Sequence, residues 1–393
     1  VSTARSGAPA RRTPRRYQLT KEAVGVVASG HPWVFRSHVS SALAAFPDGQ
    51  WLSLVDGKNR VVGFGVYEAA GAVAIRVLQR GDARPDAAGL GRRIDAALAR
   101  RATLRTETNA WRALHGENDG LPGVVVDVLG DVVVVQAYSA GVRALARWAG
   151  ARVAAHAGAA IVVERQPTRR VAAGDQPAAR ALRGAVPATA TIREGDVDLV
   201  VDVAHGQKSG AFLDLRGLRR WVRAQPLAGA SVLNLFSFTG MCGVAAARAG
   251  ATSITHVDAS AAALAWGRAH HGAPGATFVE ADIFAWLPAQ APGAHQLVIV
   301  DPPSMTSRAE QVPAALAAYR RLHAAAAPHV APGGALVVAC CTSRIGRDAF
   351  RSTAVRAIGP GFSLEQELAP EPDHPVGFPQ GDYLKVLVFR RAA

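Results

Sequence analysis

Gly240, Asp258, Asp282 and Asp301 each stand at or just beyond the end of a short hydrophobic run, and each is a residue type that can hold a ligand. The runs are 231–236, 253–258, 276–280 and 296–301. A glycine after a strand permits a tight turn and lets a ligand approach the backbone. A carboxylate at the end of the second strand can accept bonds from ribose hydroxyls, and Asp282 is placed to hold an adenine amino group. Asp301 precedes Pro302-Pro303, which cannot continue a sheet ladder. Each feature alone has a plain structural use: a turn, a helix N-cap at Asp258, a strand stop. Four in order point to a nucleoside-bearing cofactor. The turn Ser237-Phe238-Thr239-Gly240 is not G-x-G-x-x-G, so a pyrophosphate cradle is not expected.

These positions need a scaffold, and the pattern around them supplies one. The hydrophobic runs, with a further one at 335–341, are separated by helical stretches at 241–249, 261–270 and 312–327. Such alternation predicts an α/β fold for residues 201–393, a doubly wound, mostly parallel sheet of Rossmann type that binds ligands beyond the carboxyl ends of its strands. Residues 17–82 read instead as short strands and turns, the rhythm of a small β-barrel. Residues 83–200 read as an α+β segment. It has a helix over 89–113, a hairpin at 124–137, a helix over 141–156, a strand at 160–164 and a loop over 165–190. Residues 1–16 carry five arginines and no acid, and read as a disordered basic arm.

The 393 residues carry a formal net charge of +14, which favours a polyanionic partner. No apolar run is long enough to cross a membrane, and the basic start lacks the apolar stretch of a secretory leader. Three cysteines, Cys242, Cys340 and Cys341, argue for a reducing, cytoplasmic compartment and against a disulfide framework. No Cys/His spacing suggests a metal site. The oligomeric state stays open, a homodimer included.

Longer stretches carry a resemblance. Gly30-His31-Pro32-Trp33-Val34-Phe35, the run His115 to Gly123, the run Gly206 to Arg216, Asn234 to Gly240, His374-Pro375-Val376 and Gly381 to Lys385 together resemble the large-subunit ribosomal RNA cytosine-5 methyltransferases with an N-terminal PUA domain. The resemblance covers nearly everything after the basic arm. It implies S-adenosylmethionine as cofactor, held by Asn234, Phe236, Thr239, Gly240, Asp258, Ala259, Asp282 and Ile283, and ribosomal RNA as partner. It also places the PUA barrel on RNA, with His31, Trp33 and Arg36 as candidate contacts.

In the resembling family the strand-end cysteine is the nucleophile, and that position here is Cys341. Carbon 5 of cytosine is a poor nucleophile, and a thiolate adding to carbon 6 makes it enamine-like. Asp301 is then expected to face the pyrimidine edge, and Arg344 is a candidate electropositive neighbour of the thiol. Cys340 faces the other way along the strand and reads as core. The chain departs from the family pattern at Ser304-Met305, at Thr342 after the cysteine, and at His270, where an asparagine is usual. Two other readings stand beside this one: methylation of guanine nitrogen 7 or another base by the same fold, and an RNA-binding assembly factor with a decayed site.

Overall fold

Tyr17 and Leu19 are buried beside polar neighbours, and this pins the first strand, β1 (Arg15–Gln18), into a sheet. The computed structural model describes residues 14–167 and 179–393. Arg15 and Arg16, expected in the basic arm, therefore belong to β1; residues 1–13 of that arm lie outside the described residues. Next come α1 (Lys21–Ala28), β2 (Trp33–Phe35), β3 (Trp51–Val55), β4 (Val61–Tyr67) and β5 (Val73–Arg80). The sheet order is β1-β3-β4-β5-β2. Helix α1 departs from the short strands and turns expected over this region, and its valines and glycine are weak helix formers. Its Thr20 N-cap, accepting from the Ala23 N–H at 3.1 Å, and the burial of Ala23 and Val27 decide for helix.

The second sheet contains β6 (Ala110–His115), β7 (Val124–Leu129), β8 (Val132–Ala137), β9 (Ile161–Arg165) and β10 (Ala179–Arg183), in the order β10-β9-β8-β7-β6. It is preceded by α2 (Ala87–Arg100) and carries α3 (Arg143–Ala157) on one face. The helix expected over 89–113 stops at Arg100. Arg101 is fully buried, and its guanidinium bonds the carbonyls of Ala97 and Arg112 and the Asp119 carboxylate. From Ala110 the segment pairs with β7 and is buried on both faces, with Ala110 in one core layer and Trp111 and Ala113 in another, so it is strand. The loop expected over 165–190 is likewise interrupted by β10, an edge strand too polar to announce itself. A two-stranded ribbon, β11 (Thr189–Glu194) and β12 (Val197–Asp202), follows.

The third unit opens with α4 (Arg216–Arg223). It continues through β13 (Ser231–Leu235), α5 (Met241–Arg248), β14 (Ser253–Asp258), α6 (Ala261–His270), β15 (Ala276–Glu280), α7 (Ile283–Trp286), β16 (His295–Val300), α8 (Val312–Ala326), β17 (Val330–Cys340), α9 (Arg347–Ile358), β18 (Phe362–Leu368) and β19 (Lys385–Arg391). The sheet order is β15-β14-β13-β16-β17-β19-β18. Strands β13 to β17 are parallel, and β18 and β19 close the edge antiparallel. Apolar layers cover both faces, as the uninterrupted hydrophobic strands require. The order reverses between β13 and β16, so Gly240 and Asp301 flank the switch point, with Asp258, Asp282 and Cys341 at or just past the ends of β14, β15 and β17.

Buried charge locks the second and third units together. Arg216, on α4, reaches Glu371 at 2.8 Å, Asp373 at 2.6 Å and the carbonyl of Ala110 at 2.8 Å. Arg219 grips both carboxylate oxygens of Glu194 at 2.7 and 2.6 Å. Asp373 in turn accepts the backbone N–H of Arg112 at 2.9 Å.

Candidate active site

The chain leaves β13 through a strained loop. Phe236 and Phe238 both have φ in the left-handed region, at 56° and 50°, and Gly240 follows at 85° to open α5. A side chain at Gly240 is excluded twice over: its φ disfavours one, and a Cβ there would lie 3.0 Å from the His256 ring. Asp258, at the end of β14, fixes this loop from the neighbouring strand. Its carboxylate accepts the Phe238 N–H at 2.8 Å and the Ser260 N–H at 2.8 Å. His271 holds the other side, with one ring nitrogen 2.7 Å from the Thr239 carbonyl and the other 2.9 Å from that of Val200. The buried histidine after α6 is thus His271; His270 is exposed and lies against Trp266.

The remaining cofactor candidates divide. Ala259 is exposed beside Asp258. The Asp282 carboxylate caps α7, accepting the Ala285 N–H at 3.0 Å, and Ile283 is packed in the core layer. The Asn234 amide nitrogen donates to His256 Nδ1 at 3.2 Å. Burial pushes His256 down to about 4, so it is neutral at pH 7. The Ser237 hydroxyl, buried in the loop, has no partner among the described residues. An orphaned hydroxyl in a strained strand-end loop, beside an acid already oriented by backbone donors, fits the adenosyl and amino-acid parts of a nucleoside cofactor.

At the next strand ends, two more groups converge. Cys340 is fully buried in the core layer, whereas Cys341, just past β17, is half-buried with its thiol 3.7 Å from the Pro302 carbonyl. Burial, aided by the charge of Asp214, pushes Asp301 up to about 7. Burial and Asp301 push the Cys341 thiol up to about 12, and the cation opposing that rise is Lys208. Arg344, expected to be that cation, turns away: its Nε donates to the Ser307 carbonyl, and its guanidinium lies 6.0 Å from the Phe35 ring centre.

Lys208, Asp214 and Tyr383 complete the floor, and none was singled out from sequence. The Lys208 ammonium and the Tyr383 hydroxyl both donate to the same Asp214 oxygen, each at 2.7 Å. Burial disfavours the Asp214 charge, yet Lys208, His374 and the Tyr383 hydroxyl hold its carboxyl well below the usual range. Its other oxygen is buried without a partner among the described residues. All three lie in stretches that carried the resemblance, but 208–214 and 383 are too far apart in sequence for spacing to join them. Two departures from the family pattern also meet here. The Thr342 hydroxyl accepts the Met305 N–H at 3.2 Å and lies 3.1 Å from the Tyr319 hydroxyl, tying the loop after Asp301-Pro-Pro to the end of β17. Among the described residues, no group of three or more His, Cys, Asp or Glu side chains could hold a metal ion.

Residues 117–390 match the S-adenosylmethionine-dependent methyltransferases. The chain belongs to that family. The methyltransferase also carries a PUA-like domain over residues 18–80. A ribosomal RNA large subunit methyltransferase of Deinococcus radiodurans is 34% identical, with 97% of this chain and 98% of that one covered. A ribosomal RNA large subunit methyltransferase I of Shewanella denitrificans is 31% identical, over 92% and 95%. A methyltransferase structure complexed with SAH shares the fold, with a TM-score of 0.80 at 19% identity, covering 96% of this chain and 100% of that chain. S-adenosylmethionine is therefore the cofactor of the methyltransferase, and its fold is the class I methyltransferase fold with an N-terminal PUA-like domain.

The three PUA-domain candidates are half-buried and bond partners within the protein. His31 bonds Gln380 at 2.8 Å and the Trp33 backbone, and the Trp33 indole donates to Glu117 at 2.8 Å. Phe378 packs edge-on to Trp33 with ring centres 4.8 Å apart. The Arg36 guanidinium is spent on the carbonyls of Gly71 and Glu68, at 2.8 and 2.5 Å. No helix among the described residues is long and apolar enough to cross a membrane.

Proposed function

We propose that the methyltransferase modifies carbon 5 of a cytosine in large-subunit ribosomal RNA, with Cys341 as the nucleophile. The observation that carries this reading is the contrast between adjacent thiols: Cys340 is sealed in the core, and Cys341 is turned toward the Asp301-Pro302 turn. The names of the curated relatives and the net charge of +14 support ribosomal RNA as substrate.

S-adenosylmethionine, when bound, supplies an electrophilic methyl group; the loop 236–240 with Asp258 would hold it. The cytosine, flipped from its helix, lies between Cys341 and Asp301. The thiol gives its proton to the ionised form of Asp301 and the sulfur adds to carbon 6, making carbon 5 nucleophilic. With its pKa near 7, the Asp301 carboxyl can share a proton with ring nitrogen 3 and stabilise the charge that the attack places there. Lys208 lowers the cost of the thiolate. After the methyl group is in place, the carbon 5 proton leaves to a base and the thiolate is expelled.

RNA carrying 5-fluorocytosine tests the scheme, because fluorine cannot leave as a proton and elimination stalls. The wild-type enzyme is expected to form an adduct that survives denaturing electrophoresis. Ribosomal RNA methylated on guanine, with no adduct, would overturn the cytosine assignment.

A further inference from the structure

A cleft separates the PUA-like domain from the second unit, and nothing in the methyl-transfer scheme uses it. Its volume is about 520 Å³, within the range of roughly 300–1,000 Å³ of small-ligand sites. Arg80, Gln79 and His31 line it from one side, and Arg93, Asn118 and Phe378 from the others. Two acids also border it, and both are held by arginines. Asp119 has no exposed side-chain surface and is paired with Arg100 and Arg101. Glu117 shares Arg76 with Glu68 and accepts the Trp33 indole N–H.

The arginines of the cleft are not neutralised. Among the described residues neither Arg80 nor Arg93 has a carboxylate partner. Arg93 donates to the carbonyls of Leu78 and Gly120, at 2.7 and 2.8 Å, and to the Gln79 side chain, while Arg80 donates to the Gly30 carbonyl at 2.5 Å. Burial and the charge of Arg80 both disfavour the charge on Arg93. Two like charges thus face one cleft, and an anion between them relieves the repulsion. The third wall leads to the active site. Phe378 lines the cleft, and the chain runs from it to Tyr383, whose hydroxyl bonds Asp214. At about 3.3–3.6 Å per residue that stretch spans no more than about 18 Å.

We propose that this cleft binds a nucleotide flanking the target base, its phosphate on Arg80 and Arg93 and its base against the Phe378 ring. Arginine forks match phosphate oxygens, and an aromatic face accepts any base by stacking. The proposal rests on RNA being the substrate, and its test separates the two claims.

The test uses full-length enzyme and a transcript of large-subunit ribosomal RNA, with affinity measured over a range of salt concentrations. Arg80→Glu is expected to weaken binding at least tenfold and to lower the slope of log affinity against log salt by about one to two. Its KM for RNA rises, while kcat and S-adenosylmethionine affinity are unchanged. Arg80→Lys retains most of the binding. Arg105→Glu makes the same change of charge at an exposed site outside the cleft and has little effect. Wild-type enzyme cross-linked to the transcript through 4-thiouridine should carry its adduct on peptides lining the cleft, a readout that needs no variant to fold. Equal affinity and slope for Arg80→Glu and Arg105→Glu, with cross-links elsewhere, would overturn the cleft while leaving RNA methylation intact. Failure of the wild type to bind or methylate the transcript would overturn the RNA reading and the cleft with it.

Discussion

The Cys341 thiol lies 3.7 Å from the carbonyl oxygen of Pro302, so the end of β17 and the turn that follows β16 form one wall. Neighbouring parallel strands put their carboxyl ends side by side, which brings together residues far apart in sequence. Cys340, the last residue of β17, does not share the wall, because its side chain is sealed in the core layer.

That asymmetry predicts opposite effects from one substitution. Cys341→Ala should abolish methyl transfer and leave binding of S-adenosylmethionine and RNA unchanged. Cys340→Ala should keep activity and lose about 1–2 kcal/mol of stability, the cost of a small core cavity. Single-turnover assays with urea denaturation check both, and near-normal transfer by Cys341→Ala would end the covalent mechanism.

Asp258 organises the loop from Phe236 to Gly240 by accepting the Phe238 N–H. Asp258→Ala should therefore weaken S-adenosylmethionine binding by about 1–3 kcal/mol, the range for polar partners left unsatisfied. Calorimetry on folded protein reads the change. Unaltered affinity would remove Asp258 from the site.

Asp301 makes stability depend on pH with a definite sign. Its carboxyl ionises near its ordinary 3.8 in the unfolded chain and near 7 in the folded one. Between those values the folded state holds the extra proton, so this residue's contribution to stability falls as pH rises. The stability of wild type minus that of Asp301→Asn should decline from about pH 4 to about pH 7 and then level off. Denaturation at a series of pH values checks this, and a flat difference would contradict the burial of an ionisable group.

Trp33 fastens the PUA-like domain to the rest of the protein through Glu117 and Phe378. Trp33→Phe should cost about 1.5–3 kcal/mol, the loss of one hydrogen bond to a charged acceptor, with no change in the salt dependence of RNA binding. A reduced salt slope at unchanged stability would instead make the indole an RNA contact.

Sequence alone determined the alternation of strands and helices from 231 to 341, and with it the placement of Gly240, Asp258, Asp301 and Cys341 at or beyond strand ends. Hydrophobic periodicity is a local record of which faces are buried, and in a parallel sheet the ends of buried runs are where ligands bind. Elements whose stability is borrowed from elsewhere left no such record. Valine-rich α1 folds as helix because the sheet covers its buried side, and polar β10 is a strand because β9 pairs with it. The same limit applies within the site. Only the tertiary structure joins Lys208 and Tyr383 through Asp214, shows Lys208 rather than Arg344 as the cation opposing the Cys341 rise, and bonds His31 and Trp33 to Gln380 and Glu117. Those relationships depend on how separately built sheets dock, and docking is set by buried contacts such as Arg216 with the Ala110 carbonyl and Asp373 with the Arg112 N–H, whose members no sequence spacing relates.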